Sequence, residues 1–251
     1  MKISQLPILG IIFAAICAIA NATELKIASY NIKHGRNMNG KIALEDTAKL
    51  LEKLGAEIIA LQEVDKQCAR SGKIDQAAFL GKHLNMHHAF GKFFDYQGGE
   101  YGMALLSKHP ILEVKKHRLP DGAEPRIALE IVIEPEKGKK VSCVCIHFDY
   151  TSEKRRQPQI KALFKALENT THPVALIGDF NATPDSASMG LFKDKWLNVS
   201  KKGNPFTFPS DKPKMEIDYF VLRGFKKNAT CRVIEEKVVS DHRPLVADVE
   251  Y

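Results

Sequence analysis

The stretch "PVALIGDFNATP", Pro173 to Pro184, decides how the chain is read. Its apolar run, Val174 to Ile177, has the composition of a buried strand. Two residues past Ile177 stands a carboxylate, Asp179, and two residues further on an amide, Asn181. Packing alone gives no reason for a buried strand to end in an acid and an amide side by side.

The same kind of ending recurs along the chain. "ELKIASYN" reads as a strand closing on Asn31, and "EIIALQEVD" as one whose end carries Gln62 and Glu63. "KKVSCVCIHFDY" delivers His147, "MEIDYFVLRG" holds Asp218, and "VVSDH" brings Asp241 and His242. Residues at strand ends build sites on a rigid scaffold. Carboxylates and imidazoles from several segments are the ingredients of a hard-cation site with acid–base chemistry. Any one of them could be an ordinary loop polar. Asp218 could not, because a carboxylate inside "EIDYFVL" needs a cation or a hydrogen-bond donor.

Between these strands lie helical patterns. "ALEDTAKLLEKLG" spaces Leu44, Ala48, Leu51 and Leu54 along one helix face and stops at Gly55. "DQAAFLGKHL" predicts a second helix and "QPQIKALFKALEN" a third, with Ile160, Leu163, Phe164 and Leu167 inward. "GMALLSK", "RIALEIVIE" and "PLVADVEY" add strands. Alternating helices and strands with hairpins in the middle predict α/β or α+β architecture, with helices covering sheets.

The 251 residues suit one sizeable domain, and no repeat or linker divides them. The N-terminus reads differently. Lys2 precedes the apolar stretch "LPILGIIFAAICAIA", and "ANA" at Ala20–Ala22 has the small-x-small pattern of a signal-peptidase site. Residues 1–22 are therefore expected to be a signal peptide, with an uncleaved anchor as the alternative, and 23–251 the functional domain of a secreted or periplasmic protein. The whole chain carries +7, and Lys2 is the one charge before Thr23, which leaves +6. That balance suits an anionic partner. Cys143 and Cys145, two apart in an alternating segment, share a strand face and are poorly placed to bridge each other. No Cys-x-x-Cys pair exists, which excludes zinc-ribbon and thioredoxin-like redox readings.

Taken in order, "YNIKHG", "LQEVD", "YGMALLSKHP", "CIHFDY", "GDFNATP", "TFPSDKPKMEIDYF" and "SDHRPL" make the chain from about Glu24 onward resemble the endonuclease/exonuclease/phosphatase superfamily of metal-dependent phosphoesterases. The resemblance implies a four-layer α/β sandwich, two central mixed sheets covered by helices. It implies Mg²⁺ or Mn²⁺ held by Glu63, with Asn31 supporting and Asp241 a second carboxylate. It makes Asp179 the group that deprotonates the attacking water and Asn181 a donor to the phosphoryl group. His147 would contact the phosphate, and His242, oriented by Asp218, would stabilise the transition state. Arg126 in "EPRIALE" is a candidate phosphate contact, with a surface Arg the competing reading. Lys33 and Arg36 are further candidates. Two positions depart from the family's habit: Met103 stands where Asn is frequent and Glu216 where a base is frequent, with a bearing on substrate choice.

The expected function is a monomeric, secreted phosphodiesterase that hydrolyses a phosphate ester by in-line attack of water, with nucleic acid as the first substrate class. Phospholipid or sphingomyelin-type diesters and small phosphate esters are alternatives on the same chemistry, because fold does not choose substrate. A non-catalytic binding module is the rival of another class. Such a module would be expected to have lost some of these acids, amides or histidines, and here all are present.

Overall fold

The computed structural model describes residues 23–251, so the expected signal peptide lies outside the described residues. The chain runs β1 (Glu24–Asn31), α1 (Leu44–Leu54), β2 (Ile58–Lys66), α2 (Gln76–Leu84), β3 (His87–Tyr96), β4 (Gly99–Ser107), β5 (Ile111–Arg118), β6 (Ile127–Glu136) and β7 (Lys139–His147). It continues through α3 (Glu153–Ala166), β8 (Val174–Asp179), α4 (Ala187–Gly190), β9 (Leu197–Asn198), β10 (Lys201–Lys202), β11 (Asp218–Arg223), β12 (Thr230–Val233) and β13 (Leu245–Glu250).

The strands form two mixed sheets, β10-β12-β13-β1-β2-β4-β3 and β5-β6-β7-β8-β11-β9. β1 runs parallel to β2 and antiparallel to β13, while β7 and β8 run parallel. Ile27, Ile58, Met103 and Leu105 of the first sheet pack against Leu129, Cys143, Ile177 and Phe220 of the second. The outer face of the first sheet is covered by Leu44, Ala48 and Leu51 of α1 with Ala77 and Leu80 of α2. Ile160 and Leu163 of α3 and Met189 of α4 cover the second. Each sheet thus buries both faces, which is the four-layer sandwich and explains why its central strands read as unbroken apolar runs.

α1 buries the face its sequence spacing marks, and Gly55 closes it in the left-handed region at φ 64°. α3 starts at Glu153, not at the "QP" that looks like a helix start, and carries Pro158 in its second turn. Its first turn is anchored from outside: Glu153 accepts from Ser188 N and Oγ at 2.8 and 2.9 Å. The stretch "IEEKVVSDH" is not strand, since β12 ends at Val233. The four described cysteines are free and buried, and Cys143 and Cys145 both point between the sheets.

Gly178, one residue before Asp179, is the tightest point of β8. Its φ is 148°, and a Cβ there would stand 2.1 Å from the Ile146 carbonyl of β7. That carbonyl belongs to a ladder and cannot swing aside. Gly178→Ala is expected to cost about 2–5 kcal/mol, from an unfavourable backbone conformation plus overpacking. Urea unfolding measures it, and a loss below about 1 kcal/mol would show that β7 and β8 can separate.

Candidate active site

Strand alternation explains most of the site. In β7 the side chains of Cys143 and Cys145 point between the sheets, and His147 is next in that row. In β8 the row is Ala175, Ile177, Asp179, and in β11, read backwards, Leu222, Phe220, Asp218. Each row is apolar until its last member, so three polar groups meet where the sandwich opens. Asn31 ends the inward row of β1, after Leu25, Ile27 and the buried Ser29.

Glu63 arrives by another route. Ile59 and Leu61 of β2 face the helices, and plain alternation would send Glu63 after them. A bulge intervenes: Gln62 pairs with Met103 and Val64 with Gly102, so Glu63 is the extra residue, at φ 56°. The bulge turns Glu63 to the site and returns Val64 to the helix-covered face.

The centre is Asp179. Its Oδ2 lies 3.4 Å from Asn31 Nδ2, 3.6 Å from His147 Nε2 and 3.7 Å from His242 Nε2. Its Oδ1 accepts from Asn181 N at 2.8 Å, and Asn181 sits in the left-handed region that Asn tolerates. Asn181 Nδ2 donates to the Phe148 carbonyl at 3.0 Å, which leaves its second N–H for a ligand. Behind His242, Nδ1 meets Asp218 Oδ2 at 3.0 Å, and the same oxygen accepts from Thr207 Oγ1 at 2.5 Å.

Two histidines in one cleft are driven to opposite protonation states. Burial opposes charge on His242, but the charge and hydrogen bond of Asp218, with Asp179 and Asp241, prevail and push it up to about 10. His147 is held well below the usual imidazole range by burial, Arg126 and His242. Burial, then Asp218, pushes Asp179 up while His242 pulls it back. At neutral pH the cleft therefore offers a cationic and a neutral imidazole beside Asp179, which, pushed up to about 7, is divided between acid and carboxylate there.

Glu63 receives Asn31 Nδ2 at 3.1 Å on Oε1. Burial raises its pKa against that hydrogen bond, and Asp241 raises it further. Asp241 Oδ2 is met by Lys33 Nζ at 2.8 Å. Glu63 and Asp241 are oxygen donors facing one cleft with repulsion between them, which is the chemistry a hard divalent cation relieves. No thiolate competes, so the donor set fits Mg²⁺ or Mn²⁺. The tightest group of ligand atoms among the described residues is a different one, Asp179, Asp218 and His242. We read it as an acid–base relay, because Asp218 Oδ2 is already spent on Thr207 and His242.

All nine residues expected from sequence meet at this end. Glu63, Arg126, His147, Asp179, Asn181, Asp241 and His242 line one cleft of about 540 Å³, with Asn31 and Asp218 directly behind. Arg126 is not a surface residue: 3% exposed, it lies 4.8 Å over the Phe93 ring. Its Nη2 pairs with Glu124 at 2.9 Å, and Nε and Nη1 are buried without partners. Lys33 and Arg36 are not free for phosphate. Lys33 is on Asp241, and Arg36 donates to the Gly40 carbonyl at 2.9 Å outside the cleft lining. The two departures also leave the cleft: Met103 is fully buried between the sheets, and Glu216 is paired at 2.5 Å with buried Lys201. His83 lies in the last turn of α2, and His87 and His88 open β3.

Sequence reasoning missed Arg70 and Tyr101 in the cleft wall, Thr207 behind Asp218, and His34 beside Glu63. Thr207 and His34 stand inside the quoted motifs "TFPS" and "YNIKHG", which was a signal of place without a role. Arg70 gave none. Its guanidinium, held by Asp65 at 2.8 Å, stacks over Tyr96 and Tyr101 at 4.5 and 4.9 Å.

A family model described as "Endonuclease/Exonuclease/phosphatase family" matches residues 28–242. The uncharacterized protein YbhP of Escherichia coli (strain K12) is 26% identical over 244 residues, which covers 90% of this chain and 96% of that one. A functionally unknown conserved protein from Enterococcus faecalis V583 is similar in structure, with TM-score 0.75 and 21% identity over 90% of this chain and 99% of that one. The mannosyl-6-phosphatase Bt3783 of Bacteroides thetaiotaomicron VPI-5482 has TM-score 0.71 at 18% identity, over 90% of this chain and 100% of that one.

Proposed function

The chain belongs to the endonuclease/exonuclease/phosphatase family, and from that premise we propose that it is a secreted, metal-dependent phosphodiesterase with nucleic acid as its first substrate class. The observation that carries this is Asp179, flanked by His147, His242 and Asn31 and sharing the cleft lining with Arg126, two of whose nitrogens are buried and unpartnered. A buried guanidinium with spare donors in a cleft suits a phosphate. Export rests on Lys2, the apolar stretch after it and Ala20–Ala22.

In this mechanism Asp179 accepts a proton from the water that attacks phosphorus in line with the leaving oxygen. Asn181 and Arg126 hold the phosphoryl oxygens in the attacking geometry. Protonated His242 faces the charge that builds on those oxygens, and neutral His147 can donate one hydrogen bond without adding charge. Glu63, Asn31 and Asp241 would hold the divalent cation, which supplies Lewis-acid stabilisation of the phosphate and leaving oxygen when bound.

A diester has two organic arms, and the cleft has two walls for them. Phe94, Tyr96 and Tyr101 stand on one side, and Phe208, Met215 and Ile217 come from the segment before β11. Aromatic faces suit bases. A membrane-lipid diester is the second reading, supported by the exposure of Met215, Tyr96 and Tyr150 in the lining.

Two outcomes are expected. Excess chelator should abolish turnover and Mg²⁺ or Mn²⁺ should restore it; full activity after exhaustive chelation would exclude the mechanism. Against plasmid DNA, RNA, sphingomyelin vesicles and mannose 6-phosphate, the purified protein should cleave nucleic-acid diesters, with binding that weakens steeply as salt rises. Turnover confined to the monoester or to the vesicles would overturn the substrate assignment.

A further inference from the structure

We propose that His34 is a positioning residue that orients the Glu63 carboxylate for a divalent cation, an inference that rests on the cation site of the proposed function. Lys33 and His34 are consecutive non-glycine residues in the left-handed region, at φ 46° and 47°. That conformation is uncommon for such residues and persists when the surroundings impose it. Gln76, fully buried on α2, does so. Its Nε2 donates to the His34 carbonyl at 2.7 Å, and its Oε1 accepts from Asp65 N at 2.9 Å. Asp65 is two residues beyond Glu63, so one amide ties the turn that aims His34 to the strand leaving the bulge that aims Glu63.

The outcome is a His34 ring facing Glu63. Nδ1 lies 4.0 Å from Glu63 Oε2, is closed off from water and has no hydrogen-bond partner. Oε1, the other oxygen, is the one held by Asn31. A buried donor or acceptor left unpaired is costly, and 4.0 Å is beyond hydrogen-bond length. A shift of about 1 Å by either side chain brings the pair within hydrogen-bond distance. Nδ1–H would then donate to Oε2, as Asn31 donates to Oε1, and fix the plane of the carboxylate. Groups that orient a ligand this way typically govern metal affinity by about 10–100-fold without touching the metal.

The test is equilibrium binding of Mn²⁺ (by the paramagnetic resonance of the free ion) and of Mg²⁺ (by calorimetry) to metal-stripped protein. His34→Gly removes the ring and suits the positive φ. His34→Asn keeps a donor near the place of Nδ1 and also tolerates that backbone. Thermal unfolding of the metal-free variants verifies folding. His34→Gly is expected to weaken both ions about 10–100-fold, and His34→Asn to stay within about threefold of the original protein. Unchanged affinities in His34→Gly would overturn the proposal. So would a loss confined to Mn²⁺, which would make the imidazole a direct ligand. If the unsubstituted protein bound neither ion, the proposed function would fail and this inference with it; intact binding there with unaltered His34→Gly sinks the inference alone.

Discussion

Asp179→Asn is expected to lower kcat by about 10²–10⁴-fold, the usual contribution of a general base, while leaving the protein folded. Asn keeps the shape of the side chain and can still accept the Asn181 N–H on its carbonyl oxygen. What it loses is the ability to take a proton from water. Substrate contacts through Arg126 and Asn181 remain, so KM should move far less than kcat. Stability should move the other way. Burial and Asp218 raise the Asp179 pKa, so its ionised form is disfavoured by folding. Such a carboxylate weakens the fold at pH above its unfolded value near 3.9, and the weakening develops up to its raised value in the folded protein. The neutral amide removes that term, so Tm at neutral pH should hold or rise. A kcat within a few-fold of the original would place the base elsewhere. A large fall in Tm would mean that Asp179 is held chiefly for structure.

How much of this was written in the sequence depends on which physical rule carries each residue. Period-two alternation carries His147, Asp179 and Asp218. Each continues an inward apolar row that begins inside the strand, and each row can be read without knowing the fold. Alternation fails at Glu63, because the inserted residue leaves no mark in "IIALQEVD"; its place near a strand end singled it out, the family resemblance gave it a metal role, and the bulge explains its direction. Strand β5 is invisible for another reason. Of its residues only Ile111 packs against the core between the sheets, while Leu112 and Val114 are about half exposed. An edge strand held by backbone pairing to β6 has no apolar pattern to show. Strand β3 does alternate, through Ala89, Gly91 and Phe93, but half-buried Phe90 and Phe94 on its other face blur the period. Burial of Arg126 depends on a cation–aromatic contact from the residue before β6 to Phe93 of β3, and pairings that distant are set by packing of the two sheets.

The second large effect is expected at His242 and Asp218, which should behave as one unit. Asp218 is 2% exposed and ends the inward row of β11, so its charge is tolerable because His242 Nδ1 and Thr207 Oγ1 both approach Oδ2. The imidazole is fixed in turn: Nδ1 belongs to Asp218, Nε2 looks toward Asp179, and the Phe208 ring lies 4.9 Å away. With its pKa raised to about 10, His242 is cationic at neutral pH. Its stabilisation of the transition state is thus present below that value and lost as pH climbs through it. Asp218→Asn removes the largest influence that raises the pKa and keeps a hydrogen-bonding group. The alkaline limb of the pH–rate profile should then move to lower pH, and kcat should fall across the plateau. His242→Ala should lose about 10²–10³-fold, the scale of a lost electrostatic stabiliser. The double variant should lose little more than His242→Ala alone, since Asp218 has no route to the substrate except through the ring. Stability carries the same sign. A histidine with a raised folded pKa stabilises fully below about 6.5 and ceases to do so as pH passes about 10, so the Tm deficit of His242→Ala should shrink over that window. If the two kcat losses simply add, or the alkaline limb of Asp218→Asn stays in place, then His242 does not take its charge from Asp218.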